Sequence, residues 1–193
     1  VKIALLTGVL PSLPFVQMHC IEDSSALYSR KLQLVPRSSL SRLQRGLQFA
    51  CMNKTEDAAK DLERFVESGK QDRDKAILMA FLCQSRAGHE EKAKAALRAN
   101  LANLHDPSLS SLARFFLGET SEAQVSKPTG SITRDTIVHS NLGYYYLTKG
   151  DRSKAKPHLE WALLKGDRKA PEFILALTEL ERMCGRRSSV NLL

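Results

Sequence analysis

Aromatic side chains, long apolar runs and reaction motifs are all scarce in this chain, and each shortage removes a class of function. Phe, Trp and Tyr make up 6% of the 193 residues and are not interleaved with the basic ones. Single-stranded nucleic-acid binding, which stacks bases on aromatic platforms, is therefore disfavoured. The apolar opening VKIALLTGVLPSLPFV, residues 1–16, is too short to span a bilayer and is broken by Pro11 and Pro14. No G-x-S-x-G, P-loop or H-E-x-x-H occurs, so no catalytic residue and no cofactor is assigned. Cys20, Cys51, Cys83 and Cys184 are widely spaced, without C-x-x-C or a Cys/His set at zinc spacing, so no metal site is expected. They read as small buried hydrophobes, with a disulfide left open. His89, His105, His139 and His158 are scattered, and His19 adjoins Cys20 without facing it.

What remains is a helical composition. The chain is 42% hydrophobic and 26% charged, ordinary values for a folded domain, and Ala, Leu, Lys, Arg and Ser dominate. The net charge of +8 sits at the ends: +4 over residues 1–50, zero over 51–148 and +4 over 149–193. Such ends can lean on an anionic surface, although no dense basic run is present.

The stretch Ser140–Lys165 organises the rest. It holds Leu142-Gly143-x-x-Tyr146, a Gly150-Asp151 break, then Ala155 with Leu159 four residues later. This resembles the tetratricopeptide pattern L-G-x-x-Y…A-x-x-x-F, with His139 where that family has Trp and Leu159 where it has Phe. A first copy covers residues 39–69, with Gly46, Phe49, Ala58 and Leu62 at the same offsets and Leu40, Leu43, Leu47 and Ala50 on one helical face. A second covers 73–104, with Gly88 at the turn and Ala93 and Leu97 in register; Phe81 stands where glycine is expected, which predicts a helix pair that packs farther apart or crosses differently. Residues 105–135 interrupt the series. Asp106 and Pro107 open a helix ending at Gly118, and GETSEAQV gives a short capped one. In the third copy either Asp151 or Ser153 caps the second helix. Pro157 falls in the interior if Asp151 does so and in the first turn if Ser153 does. APEFILALTELERMCG, with Pro171 near its start and Gly185 past its end, reads as a final amphipathic helix whose Phe173, Leu177 and Leu180 cover the exposed edge of the third copy.

The expected fold is all-α: an α-solenoid of about three tetratricopeptide-like helix pairs, with one interruption and a C-terminal capping helix. Residues 1–20 are an N-terminal apolar segment, 21–38 a lead-in that is either one short helix or extended, 39–185 the repeat domain and 186–193 a flexible tail. For residues 1–20 three readings stay open: an export signal, a lipid anchor at Cys20, or a packed segment. Gln17-Met18-His19 fits a lipoprotein signal poorly.

A narrower likeness rests on Arg45-Gly46 with Ala58…Asp61-Leu62, Phe115-Phe116-Leu117-Gly118-x-x-Ser121-Glu122, Leu142-Gly143-x-Tyr145-Tyr146-Leu147…Gly150-Asp151 and Glu179-Leu180. In these pieces residues 40–183 resemble the NlpI family of bacterial envelope lipoproteins. The resemblance implies a non-enzymatic adaptor in the periplasm or cell envelope that brings proteases or peptidoglycan-cleaving enzymes to their partners, with membrane association through the N-terminus. It also implies that the first helix of each pair lines a concave groove for a protein or peptide ligand. The groove residues are then Gln44 and Leu47; Met79, Leu82 and Arg86; and Asn141, Tyr144 and Thr148, set against the alternative that each packs on a neighbouring helix. The other functional reading is a cytoplasmic helical-repeat adaptor whose basic ends touch nucleic acid or anionic lipid.

Overall fold

Three turns built on one hydrogen-bond pattern set the architecture of the computed structural model, which describes residues 13–69 and 73–185. In each turn one residue takes left-handed backbone: Asn53 (φ 59°), Gly88 (φ 88°) and Gly150 (φ 73°). The next amide then reaches back five residues, Lys54 N–H to Phe49 O, His89 N–H to Gln84 O and Asp151 N–H to Tyr146 O, each at 2.9 Å. This bond satisfies a carbonyl that the helix end leaves free, and glycine or asparagine carries it because other side chains clash in that backbone region.

The turns separate α2 (Ser39–Cys51) from α3 (Thr55–Glu67), α4 (Arg73–Arg86) from α5 (Glu90–Asn100), and α8 (Ile132–Thr148) from α9 (Arg152–Lys165). Helix α1 (Leu13–Leu34) leads in, α6 (Pro107–Phe116) and α7 (Glu122–Val125) interrupt, and α10 (Pro171–Met183) follows the last pair. No strand occurs among the described residues, and neighbouring helices pack in succession as a solenoid-like array.

One register of small and large residues nests the pairs. Ala58, Ala93 and Ala155, and Leu62, Leu97 and Leu159 four residues on, are all between 0 and 1% exposed. In the first and third pairs the facing helix supplies glycine. A Cβ on Gly46 would lie 2.9 Å from Leu62 Cγ, and one on Gly143 2.5 Å from Leu159 Cδ2. In the middle pair Phe81 occupies that place, and a cleft of ≈ 420 Å³ lies beside it between α3, α4 and α5. Phe81 stacks on Phe116 at 5.2 Å, and Phe116 on Tyr145 at 4.8 Å, so α6 is wedged between the second and third pairs by one aromatic column. Asp106 caps α6 by accepting from the Ser108 and Leu109 amides.

A buried ion pair ties the first three helices. Arg45 donates Nε to Asp61 Oδ2 at 2.6 Å and Nη2 to Oδ1 at 2.8 Å, and its Nη1 reaches Ser29 Oγ on α1 at 3.3 Å. The fork matches both carboxylate oxygens of Asp61, which is 3% exposed.

Several sequence expectations shift. The lead-in is helical and continuous with residues from 13 onward, because the Ser25 and Ser29 hydroxyls bond back to Glu22 O and Ser25 O instead of breaking the helix. The readings for residues 1–12, for the Cys20 side chain and for the tail 186–193 lie outside the described residues. Helix α8 starts at Ile132, eight residues ahead of the stretch its motif marks. Asp151 caps α9, so Pro157 sits in its interior; the carbonyl left without a donor is that of Ser153, on the exposed side. Leu40 points outward at 64% exposed, while Leu43, Gly46 and Ala50 face the core. On α10 the buried residues are Glu172, Leu175, Ala176, Thr178 and Glu179, while Phe173, Leu177 and Leu180 are half-buried; of these three, Leu180 packs on the cluster of Tyr146, Ala155, Leu159 and Ala162 in the third pair, as expected. The cause is where α10 goes: it crosses α8 and α9 and reaches back to α2.

Candidate functional site

Helices α2, α4 and α8, the first members of the three pairs, stand beside one another, and the eight groove residues lie on them. Every residue of α4 from Ala76 to Ser85 is buried, because α2, α3, α5, α6 and α8 surround it. The structure brings Gln44, Leu47, Met79 and Asn141 to one cavity of ≈ 110 Å³, joined there by Lys75 and Glu172. The other four lie deeper or to one side. Leu82 and Tyr144 are fully buried, and the half-buried Thr148 donates its hydroxyl to Tyr145 O at 2.7 Å. Arg86 stands over the Tyr144 ring, 4.8 Å from its centroid.

The trough is occupied by the chain's own α10. Glu179, fully buried, meets Arg86 at 2.9 Å and is also bonded by Arg182, whose other nitrogen donates to Cys51 O at the end of α2. At the other end of α10, Glu172 Oε1 lies 3.8 Å from Lys75 Nζ. Burial disfavours the Arg86 charge, but Glu179 and the Tyr144 phenol outweigh it and hold the guanidinium above its ordinary pKa. Burial raises the Tyr144 phenol well above its ordinary value and pushes the Cys51 and Cys83 thiols up to about 12. These thiols are neutral packing groups at physiological pH.

A second constellation joins α7, α8 and α9. Glu122 accepts the Tyr146 hydroxyl through one oxygen and meets His158 Nε2 at 3.1 Å through the other. His158 Nδ1 lies 2.9 Å from His139 Nδ1, and the His139 ring stacks on Trp161 with centroids 4.0 Å apart. Two imidazole nitrogens at that distance share a single proton. Burial first, and the His158 neighbour second, lower the His139 pKa to about 4. The Tyr146 hydrogen bond is the largest effect holding Glu122 below its ordinary value. Among the described residues no three His, Cys, Asp or Glu side chains converge as a metal site.

This relay makes stability fall with acid. Between pH 6.5 and about 4 the unfolded chain takes up a proton on residue 139 that the folded chain refuses. The His139 contribution to stability is therefore expected in full above pH 6.5 and is lost as the pH drops through that window. Glu122 adds a further loss below its ordinary range, where the proton breaks its bonds to Tyr146 and His158. Since His139 is only half-buried, solvent screening reduces its share to about 1–2 kcal/mol. Thermal melts of wild type and His139→Gln at pH 7.0 and 5.0 test this: the variant should lose markedly less stability over the interval. Equal slopes would remove His139 as the cause.

Sequence reasoning did not find the relay. His139 and His158 lie nineteen residues apart on facing helices, a separation without a motif, and the available clue was His139 standing at a tryptophan position. It also missed Lys75, Glu172 and Arg182 as trough residues. Their signal was the seven-residue spacing of Glu172 and Glu179, which puts both on one helical face. Among the described residues no helix is long and apolar enough to cross a membrane. No protein-family model and no curated protein sequence matches the chain.

Proposed function

We propose that this chain is a tetratricopeptide-type adaptor of the NlpI kind, a non-enzymatic scaffold of the bacterial envelope that brings proteases or peptidoglycan-cleaving enzymes to their partners. One observation carries the reading. Three helix pairs repeat the same turn bond and the same Ala/Leu register, which supports reading their first helices as the lining of one trough. Stacking pairs of this kind expose a continuous surface made from one helix per repeat, a shape suited to another polypeptide. The two polar clusters fit the same reading. Arg86–Glu179 and the Glu122–His158–His139 relay join neighbouring helices.

Within the trough, accessible positions rather than buried ones are the useful probes. Gln44 and Leu47 on α2 are half-buried at the cavity, whereas changing Tyr144 or Leu82 would disturb the core. Proximity labelling from the chain in its native host is expected to enrich envelope enzymes, and Leu47→Glu, with its helical circular dichroism intact, should cut that enrichment at least about tenfold. Enrichment confined to cytoplasmic proteins overturns the envelope assignment. Absence of any reproducible partner overturns the adaptor reading itself.

A further inference from the structure

We propose that α10 is a displaceable occupant of the trough, and that the trough receives in its place an amphipathic helix of another protein bearing two carboxylates two turns apart. The proposal rests on the adaptor reading and specifies the ligand chemistry of the same surface.

The first support is what α10 buries. Its most buried residues are Glu172, Leu175, Ala176, Thr178 and Glu179, three polar against two apolar, with Ile174, Leu180 and Met183 half-buried against the core beside them. The interfaces between paired helices, by contrast, are built on Ala58 with Leu62, Ala93 with Leu97 and Ala155 with Leu159. The two carboxylates add little net to the hold of α10, because desolvation offsets most of their attraction.

The second is unmet hydrogen-bonding capacity. Two buried polar atoms at the trough find no hydrogen-bond partner among the described residues: Asn141 Oδ1 on α8 and Glu172 Oε2 on α10. Arg86 and Glu179, by contrast, meet as an ion pair at 2.9 Å. Each unmet group costs free energy, so the first turn of α10 fits this surface less well than a matched helix can.

The third is charge complementarity. Lys75 and Arg86 present cations from one helix of the trough, and each faces one carboxylate of α10. That arrangement selects an acidic helix and rejects a basic one.

The fourth is incomplete filling. The ≈ 110 Å³ cavity adjoins Pro171 and Glu172, the first turn of α10, and its opposite wall is Leu43, Gln44 and Leu47 of α2. Proline disfavours a further hydrogen-bonded turn ahead of it, and α10 begins at Pro171, beside this space. A partner helix with an additional apolar turn at its N-terminus reaches it.

The test is fluorescence anisotropy on the full chain with three labelled peptides. One is the sequence of residues 171–183; the second adds an apolar N-terminal turn and replaces Pro171 by alanine; the third is the second with Glu172→Lys and Glu179→Lys. The extended peptide should bind at least about tenfold more tightly than the short one, and the lysine version at least about tenfold more weakly than the extended one. Hydrogen exchange in the chain's own residues 171–183 should accelerate as the extended peptide is added, while α9 stays protected. Absence of binding, with α10 as protected as α8 and α9, overturns the proposal. So does binding indifferent to the carboxylates. A concentration-dependent dimer that exchanges α10 between copies places a second copy in the trough and also overturns it. If peptide binding fails while envelope partners are still captured, the adaptor works through another surface; if both fail, the adaptor reading falls as well.

Discussion

Replacing Arg45 with methionine should cost about 3–5 kcal/mol, the largest single loss expected in this chain. Asp61 is 3% exposed, and the Arg45 fork is its charge partner at 2.6 and 2.8 Å. Methionine keeps much of the volume and lets the side chain lie over Phe49, where the guanidinium now sits 5.4 Å from the ring centroid. The loss is therefore electrostatic: a carboxylate remains in a desolvated site between α2 and α3. In a chain of this size the melting temperature should fall by about 10 °C or more. A double variant, Arg45→Met with Asp61→Leu, should recover a large part of that loss, since replacing both charges by apolar groups removes the desolvation cost. Urea denaturation of the three proteins decides it. A single variant within about 1 kcal/mol of wild type would show that solvent, not Arg45, satisfies Asp61.

The second large effect is expected at Gly143. Alanine normally gains about 1 kcal/mol over glycine inside a helix. Here the added Cβ would meet Leu159 Cδ2 at 2.5 Å and Cγ at 2.6 Å, with Ala155 O at 3.3 Å behind them. Leu159 is fully buried and cannot swing aside. Overpacking of this kind costs about 1–3 kcal/mol, so Gly143→Ala should be destabilising despite its helix propensity, and Gly143→Val should lose about 3 kcal/mol or more. Gly46→Ala is the internal control. Its nearest contact is longer, 2.9 Å to Leu62 Cγ, so its penalty should be smaller and close to cancelled by propensity. Adding Leu159→Ala to Gly143→Ala should cost less than the two single losses combined, because the second change removes the atoms that the first strikes. Equal melting temperatures for the Gly46 and Gly143 alanine variants would contradict this account of the helix nesting.

Residues that act through size were legible in the sequence. Ala58, Ala93 and Ala155, with Leu62, Leu97 and Leu159, lie in the chain at the offsets at which they meet in space, since a short turn fixes how paired helices face each other. Phe81 in a glycine position marked the middle pair as packed differently from the other two, and a cleft lies beside it. Legibility ended where polar residues were buried. Glu172 and Glu179 read as a solvated face by hydropathy, so the sequence turned α10 toward Phe173, Leu177 and Leu180. Only the position of Lys75 and Arg86, about a hundred residues earlier, makes the acidic face the inner one. The eight groove residues lie on α2, α4 and α8, and their neighbours there depend on a helix that returns from the far end of the array. His139 and His158 failed for a related reason: the contact joins adjacent helices, and no local spacing encodes a shared proton.

That returning helix changes how the molecule should come apart. In an open array each unit touches only its neighbours, so melting can begin at either end and travel inward one unit at a time. Here Arg182 grips the Cys51 carbonyl 131 positions away, which ties the last helix back to the first pair and leaves α1 as the end outside the closure. Bringing such distant segments together is slow, and the closing contact comes late in folding. Once made, it couples the first and last units, so heat should meet them as one cooperative block, and releasing the latch should restore the piecemeal fraying of a simple stack.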